Sequence, residues 1–311
     1  MKKLFSLFLA LAMVLSLAAC SVEGGSKPAA PADGSAASAE GGSIGMSIST
    51  MNNPFFVTLS EGAKAKAGEL GVELISVDAG DDSAKQAGDI EDLISKGIKV
   101  LIVNPVDSDA VAPAVEDAIA KGIKVIAVDR VVNGVDVDCS IASDNVAGAE
   151  MATEFLVETV GEGAKTAELG GVNGASATID RGAGFHNVAD EKLDVVASQT
   201  ANFNRAEGMS VMENMLQANP DIKAVFAHND EMALGAVETV GDKGIIVAGF
   251  DATDDAIAAI KEGRMAATIA QKPDLMGATA VETAQKLMAG ETVEKSIPVE
   301  VKLVTKDNVD E

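Results

Sequence analysis

A chain of 311 residues exceeds one ordinary domain and accommodates two, and 47% hydrophobic residues are enough for substantial cores. A formal net charge of −24 argues against nucleic acid, whose phosphates need a basic footprint, and fits an acidic surface that keeps an exported protein soluble. Two cysteines and two histidines make neither a disulfide framework nor a histidine metal centre, and with Trp and Tyr absent, stacking on a ligand falls to nine Phe.

In chain order, Met1-Lys-Lys3 and the apolar run Leu4 to Ala19 have the form of a cleavable export signal. The run is shorter than the roughly 20 residues of a membrane-spanning helix. It closes on Leu17-Ala18-Ala19-Cys20, which resembles the lipobox of bacterial lipoproteins. That resemblance implies cleavage before Cys20 and a lipid on its sulfur. Residues 1–19 then read as signal peptide and 20–43 as a lipid-anchored linker. The Gly, Ser, Ala and Pro content of that linker predicts a flexible coil spanning about 25–30 Å.

From Ile44 the pattern alternates between strand and helix, which predicts parallel sheets with right-handed crossovers. The expected strands are 44–50, 72–77, 98–103, 123–128, 137–141, 166–170, 194–199, 223–228, 245–250, 265–270 and 297–304. The expected helices are 55–70, 84–96, 109–121, 144–160, 176–189, 205–218, 230–240, 253–262 and 273–289. Lys96-Gly-Ile-Lys-Val100 recurs as Lys121-Gly-Ile-Lys-Val125: a helix end, a Gly and a buried strand, which is architecture without chemistry. Eleven strands are too many for one sheet, so we expect an α/β molecule of two Rossmann-like lobes with the first boundary near 137–141.

The chemistry collects where strands end. Ala224 to Ala227 runs into His228, Asn229 and Asp230; Val247 to Phe250 ends at Asp251; Val125 to Val128 ends at Asp129 and Arg130; Ser47 to Thr50 leads to Asn53, Phe55 and Phe56. Ligands of open α/β sheets bind outside the carboxyl ends of strands. Amides, carboxylates, guanidinium groups and phenyl rings, without a phosphate loop, suit an uncharged polyhydroxy ligand.

The motifs Ser49-Thr-Met-Asn-Asn-Pro-Phe-Phe56, Asn104-Pro-Val-Asp-Ser-Asp-Ala110, Ile141-Ala-Ser-Asp-Asn145, Phe226-Ala-His-Asn-Asp-Glu-Met-Ala-Leu-Gly235 and Ala266-Ala-Thr-Ile-Ala-Gln271 resemble those of the periplasmic ribose-binding proteins. These are type I sugar-binding components of ABC importers, and the likeness runs from about Ile44 to Lys306. It implies lobes 44–142 plus 272–300 and 143–271 plus 301–311, joined by three crossing segments and closing on D-ribose or a similar monosaccharide. The ligand-binding residues it implies are Asn53, Phe55, Phe56, Asp129 and Arg130 from the first lobe. The other lobe and the hinge supply Arg181, Phe203, Asn229, Asp251 and Gln271. It also implies an ABC permease as partner. We expect a monomer with no cofactor and no metal.

Those residue types suit a sugar. Asn and Gln donate and accept together, Asp accepts from two hydroxyls, Arg donates through a planar fork, and Phe covers C–H faces. Each also has a structural alternative. Asn53 before Pro54 has the form of a turn or helix cap, and one of two adjacent Phe would ordinarily enter the core. Asp129 and Arg130 could form a local ion pair, Arg181 could be a solvated helix residue, and Asp251 could cap the next helix. His228 is expected to be packed, His186 to be an ordinary helix position and Cys139 a small buried thiol, with Asp144 and Asn145 capping the helix after the first crossing. Two further function classes compete. Gly170-Gly-Val-Asn-Gly174 follows a strand as a nucleotide loop would, but it lacks a full fingerprint. A sugar-responsive repressor would carry a basic headpiece where this chain has a signal and a lipobox. Within the binding class, a furanosyl signalling molecule competes with ribose.

Overall fold

Strand and helix alternate through residues 42–310, the part of the chain described by the computed structural model. The signal peptide 1–19, Cys20 and the linker up to residue 41 lie outside the described residues. The first half lays down β1 (Ile44–Ile48), α1 (Pro54–Leu70), β2 (Leu74–Asp78), α2 (Ser83–Ser95), β3 (Val100–Val103), α3 (Ala112–Ala120), β4 (Lys124–Val128) and β5 (Cys139–Ser143). The chain then crosses over and builds α4 (Asn145–Val160), β6 (Lys165–Gly170), α5 (Ser176–Lys192), β7 (Asp194–Thr200), α6 (Arg205–Ala218), β8 (Ala224–Ala227), α7 (Asp230–Val240), β9 (Ile246–Ala248), α8 (Asp254–Glu262) and β10 (Ala267–Ala270). It returns through α9 (Pro273–Met288) and β11 (Ser296–Val299) and crosses a third time into β12 (Lys302–Thr305).

The strands form two six-stranded sheets, ordered β11-β5-β4-β3-β1-β2 and β12-β10-β9-β8-β6-β7. Every neighbouring pair is parallel except β10 with β12. Both sheets therefore carry the doubly wound order 2-1-3-4-5, with switch points between β1 and β3 and between β6 and β8. The fold is the expected pair of α/β lobes. The one expected strand over 297–304 is two strands, so the described residues hold twelve rather than eleven. β11 pairs with β5 in one sheet and β12 with β10 in the other, with only Glu300 and Val301 between them. No Gly interrupts that segment, so periodicity alone could not reveal the change of sheet.

Burial explains why the pattern was readable. All residues of β1, β3 and β8 are buried, as parallel strands covered on both faces must be. Full burial of a Leu, Ile, Phe or Met side chain contributes about 1.5–3 kcal/mol. The Lys-Gly-Ile repeat ends α2 and α3 at Gly97 and Gly122, whose φ angles of 79° and 80° are left-handed and favour glycine. Both sheets thus end their strands toward the lobe junction, which is where the site lies.

Candidate functional site

The first wall of the site is built at the ends of β1 and β4. Asn53 has extended backbone and caps α1, its Oδ1 accepting from the Phe55 N–H at 2.9 Å, with Pro54 opening the helix. The cap fixes where α1 begins, so Phe55 and Phe56 stand at the cleft, both buried and packed edge to face with ring centres 5.1 Å apart. Cap and cleft lining coincide in Asn53, and core and cleft lining coincide in both rings. At the end of β4, Asp129 takes a left-handed φ of 65° and donates its N–H to Ile141 O at 2.7 Å. Its Oδ2 accepts from Asn104 Nδ2 at 3.3 Å. Arg130 Nη1 donates to Pro105 O at 2.8 Å, while its Nε is 3.6 Å from Asp129 Oδ2 and makes no hydrogen bond although buried.

The second wall comes from five places. Arg181 on α5 is only 3% exposed, which removes the solvated-helix reading. Its Nε donates to Asn145 Oδ1 at 2.8 Å and its Nη1 to His228 O at 2.6 Å. The guanidinium lies 3.8 Å over the Phe250 ring, and Nη1 is 3.7 Å from Asp251 Oδ1. Phe203, after β7, is left-handed at φ 58°, and its ring stands 5.4 Å from the Arg130 guanidinium and 5.9 Å from that of Arg181. Asn229 caps α7 through the Met232 N–H at 3.0 Å and donates from Nδ2 to Phe203 O at 3.3 Å. Asp251 accepts from Gln271 Nε2 at 2.7 Å, leaving Gln271 Oε1 buried without a partner. Asp251 does not cap α8, whose N-cap is Thr253.

These ten side chains, together with Ala177, border one narrow space of about 10 Å³, room for little more than a single water. Two guanidinium groups face two carboxylates there, all almost fully buried. Burial pushes the Asp129 and Asp251 carboxyls up, Asp251 well above the usual range, against the opposing pull of Arg130 and Arg181 respectively. Burial likewise pulls both guanidinium pKa values down, against Asp129 for Arg130 and Asp251 for Arg181. A molecule rich in hydroxyls replaces lost water for every one of these groups without bringing charge.

Three hydrogen bonds join the lips of the cleft. Ser108 N donates to Gly174 O at 3.0 Å, Ser176 N to Ser108 Oγ at 3.2 Å, and Val131 N to Ser176 Oγ at 3.0 Å. The glycine segment 170–174 therefore forms a lip. Gly171 must lack a side chain for another reason, since a Cβ there would sit 2.1 Å from the Phe203 ring.

Sequence reasoning gave no role to Asn104 or Ala177 and only a capping role to Asn145. Asn104 accepts from Ser49 Oγ at 2.7 Å and holds Asp129. Its signal was a polar residue directly after the buried strand β3, beside the switch point. Asn145 holds Arg181, and Ala177 carries no chemical mark at all. His228 is buried with Nε2 2.9 Å from Glu168, whose other oxygen accepts from Ser198 Oγ. Cys139 is a free buried thiol, and His186 is partly exposed beside Asp190 and Glu168.

A periodic arrangement of two switch-point sheets with a cleft between them is the architecture of binding proteins, and the periplasmic binding protein domain matches residues 44–292. The chain belongs to that family. Its members are non-catalytic solute-binding proteins. The chain is 49% identical to the ribose import binding protein RbsB of Bacillus subtilis over 98% of its own length and 99% of that protein's. It is 46% identical to the Escherichia coli ribose import binding protein, covering 85% of this chain and 90% of the relative. Among solved structures, an ABC transporter solute-binding protein from Mycobacterium smegmatis with bound glycerol superposes with a TM-score of 0.83 at 36% identity, covering 87% and 96% of the two chains.

Proposed function

We propose that this protein binds D-ribose in the cleft and presents the closed, loaded form to an ABC permease. The observation that carries the reading is the meeting of ten side chains from both sheets around one small space, with an unpartnered donor at Arg130 Nε and an unpartnered acceptor at Gln271 Oε1. The ligand-binding residues are Asn53, Phe55, Phe56, Asp129 and Arg130 on one wall and Arg181, Phe203, Asn229, Asp251 and Gln271 on the other. Asp129 and Asp251 accept from sugar hydroxyls, the guanidinium groups donate, and Phe55, Phe56 and Phe203 cover the C–H faces. Hydrogen bonds to charged groups contribute about 1.5–3 kcal/mol each, so two or three of them separate one stereoisomer from another.

Lobes 44–142 plus 272–300 and 143–271 plus 301–311 close about the three crossing segments. The sugar stabilises the closed state because both walls touch it only there. Cys20 carries the lipid that holds the protein at the outer face of the cell membrane, with residues 21–43 as tether. Calorimetry with pentoses and hexoses tests the ligand. Heat for D-ribose at the tightest affinity is the expected result, and tight binding of another sugar with none for ribose overturns the ribose assignment while leaving the class intact. For the anchor, Cys20→Ser is expected to leave the membrane fraction, and retention there refutes the lipid.

A further inference from the structure

Asp230 is the first residue of α7, wholly buried, and it does not border the cleft. Its carboxylate gathers donors from within β10 and from the N-cap of α8. Thr268 Oγ1 donates to Oδ1 at 2.6 Å, and Thr253 donates to Oδ2 twice, from N at 2.8 Å and from Oγ1 at 3.2 Å. The Asp230 N–H donates to Phe250 O at 2.8 Å, and the Ala252 N–H donates to the Thr268 hydroxyl at 3.2 Å. Gly249 lets the carboxylate rest against the chain, because a Cβ there would lie 2.5 Å from Asp230 Oδ1. The segment 249–253 is thus tied to Asp230 at both ends, by the backbone N–H to Phe250 O and by the carboxylate to Thr253.

Between those ties the backbone is strained. Asp251 at φ 126° and Ala252 at φ 57° are consecutive non-glycine residues in conformations that L side chains rarely adopt. Such a turn persists only where its surroundings over-determine it. We propose that Asp230 is a positioning residue that holds this turn and thereby fixes the Asp251 carboxylate against Gln271 and Arg181 at the cleft. The proposal rests on the sugar-binding reading of the cleft. Burial pushes the Asp230 carboxyl up to about 7, against the hydrogen bonds from Thr268 and Thr253 that favour its charged form. An Asn in its place keeps one oxygen for Thr253 and meets Thr268 only through its NH₂, so charge-assisted bonds give way to neutral ones and the hold on the turn weakens.

The test is calorimetry of D-ribose on the full protein and on Asp230→Asn, Thr268→Val and Thr268→Ser, with Asp230→Asn repeated in an Asp251→Asn background. Asp230→Asn and Thr268→Val are expected to weaken binding about tenfold. Thr268→Ser, which keeps the hydroxyl, is expected to stay within about threefold of wild type. In the Asp251→Asn background the Asp230→Asn change is expected to cost less than about twofold, because the group it positions is already altered. Unchanged affinity in Asp230→Asn, or an equal loss with and without the Asp251 carboxylate, overturns the proposal. If Asp230→Asn does not fold, the Thr268 pair decides alone, and equal affinity of its Val and Ser variants is the overturning result. Absence of ribose binding in the wild type strikes the ribose reading instead, and the same comparison then runs on whichever sugar binds.

Discussion

The two buried arginines of the cleft are held in opposite ways. Arg181 is fixed by its own lobe on every side, by Asn145, His228 O, the Phe250 ring and Asp251. Arg130 has one strong tie, to Pro105 O, an unpartnered Nε, and aromatic faces at 5.1 Å from Phe56 and 5.4 Å from Phe203 of the other lobe. Arg181 is held mainly by its own wall, while Arg130 keeps a buried donor without a partner. Two residues with identical chemistry in one pocket are thus held differently, and in the proposed function both donate to the sugar while Arg181 also shapes its wall.

Arg181→Ala is the largest expected break in that contrast. It strands Asp251 without its cation and leaves the Asn145 and His228 oxygens unpaired, and removing one partner of a buried ion pair costs about 3–5 kcal/mol. Urea melts of the unliganded protein measure this, and a loss below about 1 kcal/mol means that Arg181 is not built into the wall. The loss should also grow with pH, since an uncompensated Asp251 is tolerated only when protonated. Arg130→Lys comes next. It keeps the charge and loses the planar fork, so ribose affinity should fall by about 1.5–3 kcal/mol with a smaller change in the melt. The reverse pattern, stability lost and affinity kept, would exchange the roles of the two arginines.

A pH series sharpens the same contrast from the acid side. A carboxyl raised by burial binds its proton in the folded state after the unfolded state has released it. The stability it confers is present below the unfolded value and is lost as pH rises through the folded one. For Asp230, raised to about 7, the contribution to the stability of the unliganded protein should fall between about pH 4 and about pH 7 and then level off. The slope is at most about 1.4 kcal/mol per pH unit for one such group. Asp129 and Asp251 are raised too and act with the same sign. Asp230→Asn should flatten the profile, and melts giving an unaltered slope would assign the titration to other groups.

Much of this was legible in the chain. Buried runs such as Val100–Val103 and Ala224–Ala227 announce parallel strands, and the polar residue following each one marks the rim where ligands sit. Asn53, Asp129, Asn229 and Asp251 were legible for that reason. Arg181 and Gln271 were not: an arginine within a helix and a glutamine after a short strand carry no mark until the fold brings them together, and only resemblance supplied them. Asn104 and Asp230 stood in motifs without a role because their partners, Asp129 and Thr268, are 25 and 38 residues away. The break between β11 and β12 was hidden because alternation survives a change of sheet.

The smallest expected effect separates closing from reading. Ala175 cannot cap α5 with its side chain, and the Ser176 N–H at that helix start is satisfied across the cleft by Ser108 Oγ. Ser176 Oγ in turn accepts from Val131 N of the first lobe. Neither serine borders the ligand space. In an opened cleft both bonds pass to water, so Ser108→Ala and Ser176→Ala act on the closed state alone. Each should weaken ligand binding by about 0.5–1.5 kcal/mol, roughly two- to tenfold. Because the serines touch no ligand atom, calorimetry should give the same loss for every sugar the protein binds and leave their order of affinity intact. Arg130→Lys should reorder them, because each stereoisomer meets the fork differently. If the serine variants reorder the sugars, the lips belong to the reading surface and closure has no separate latch.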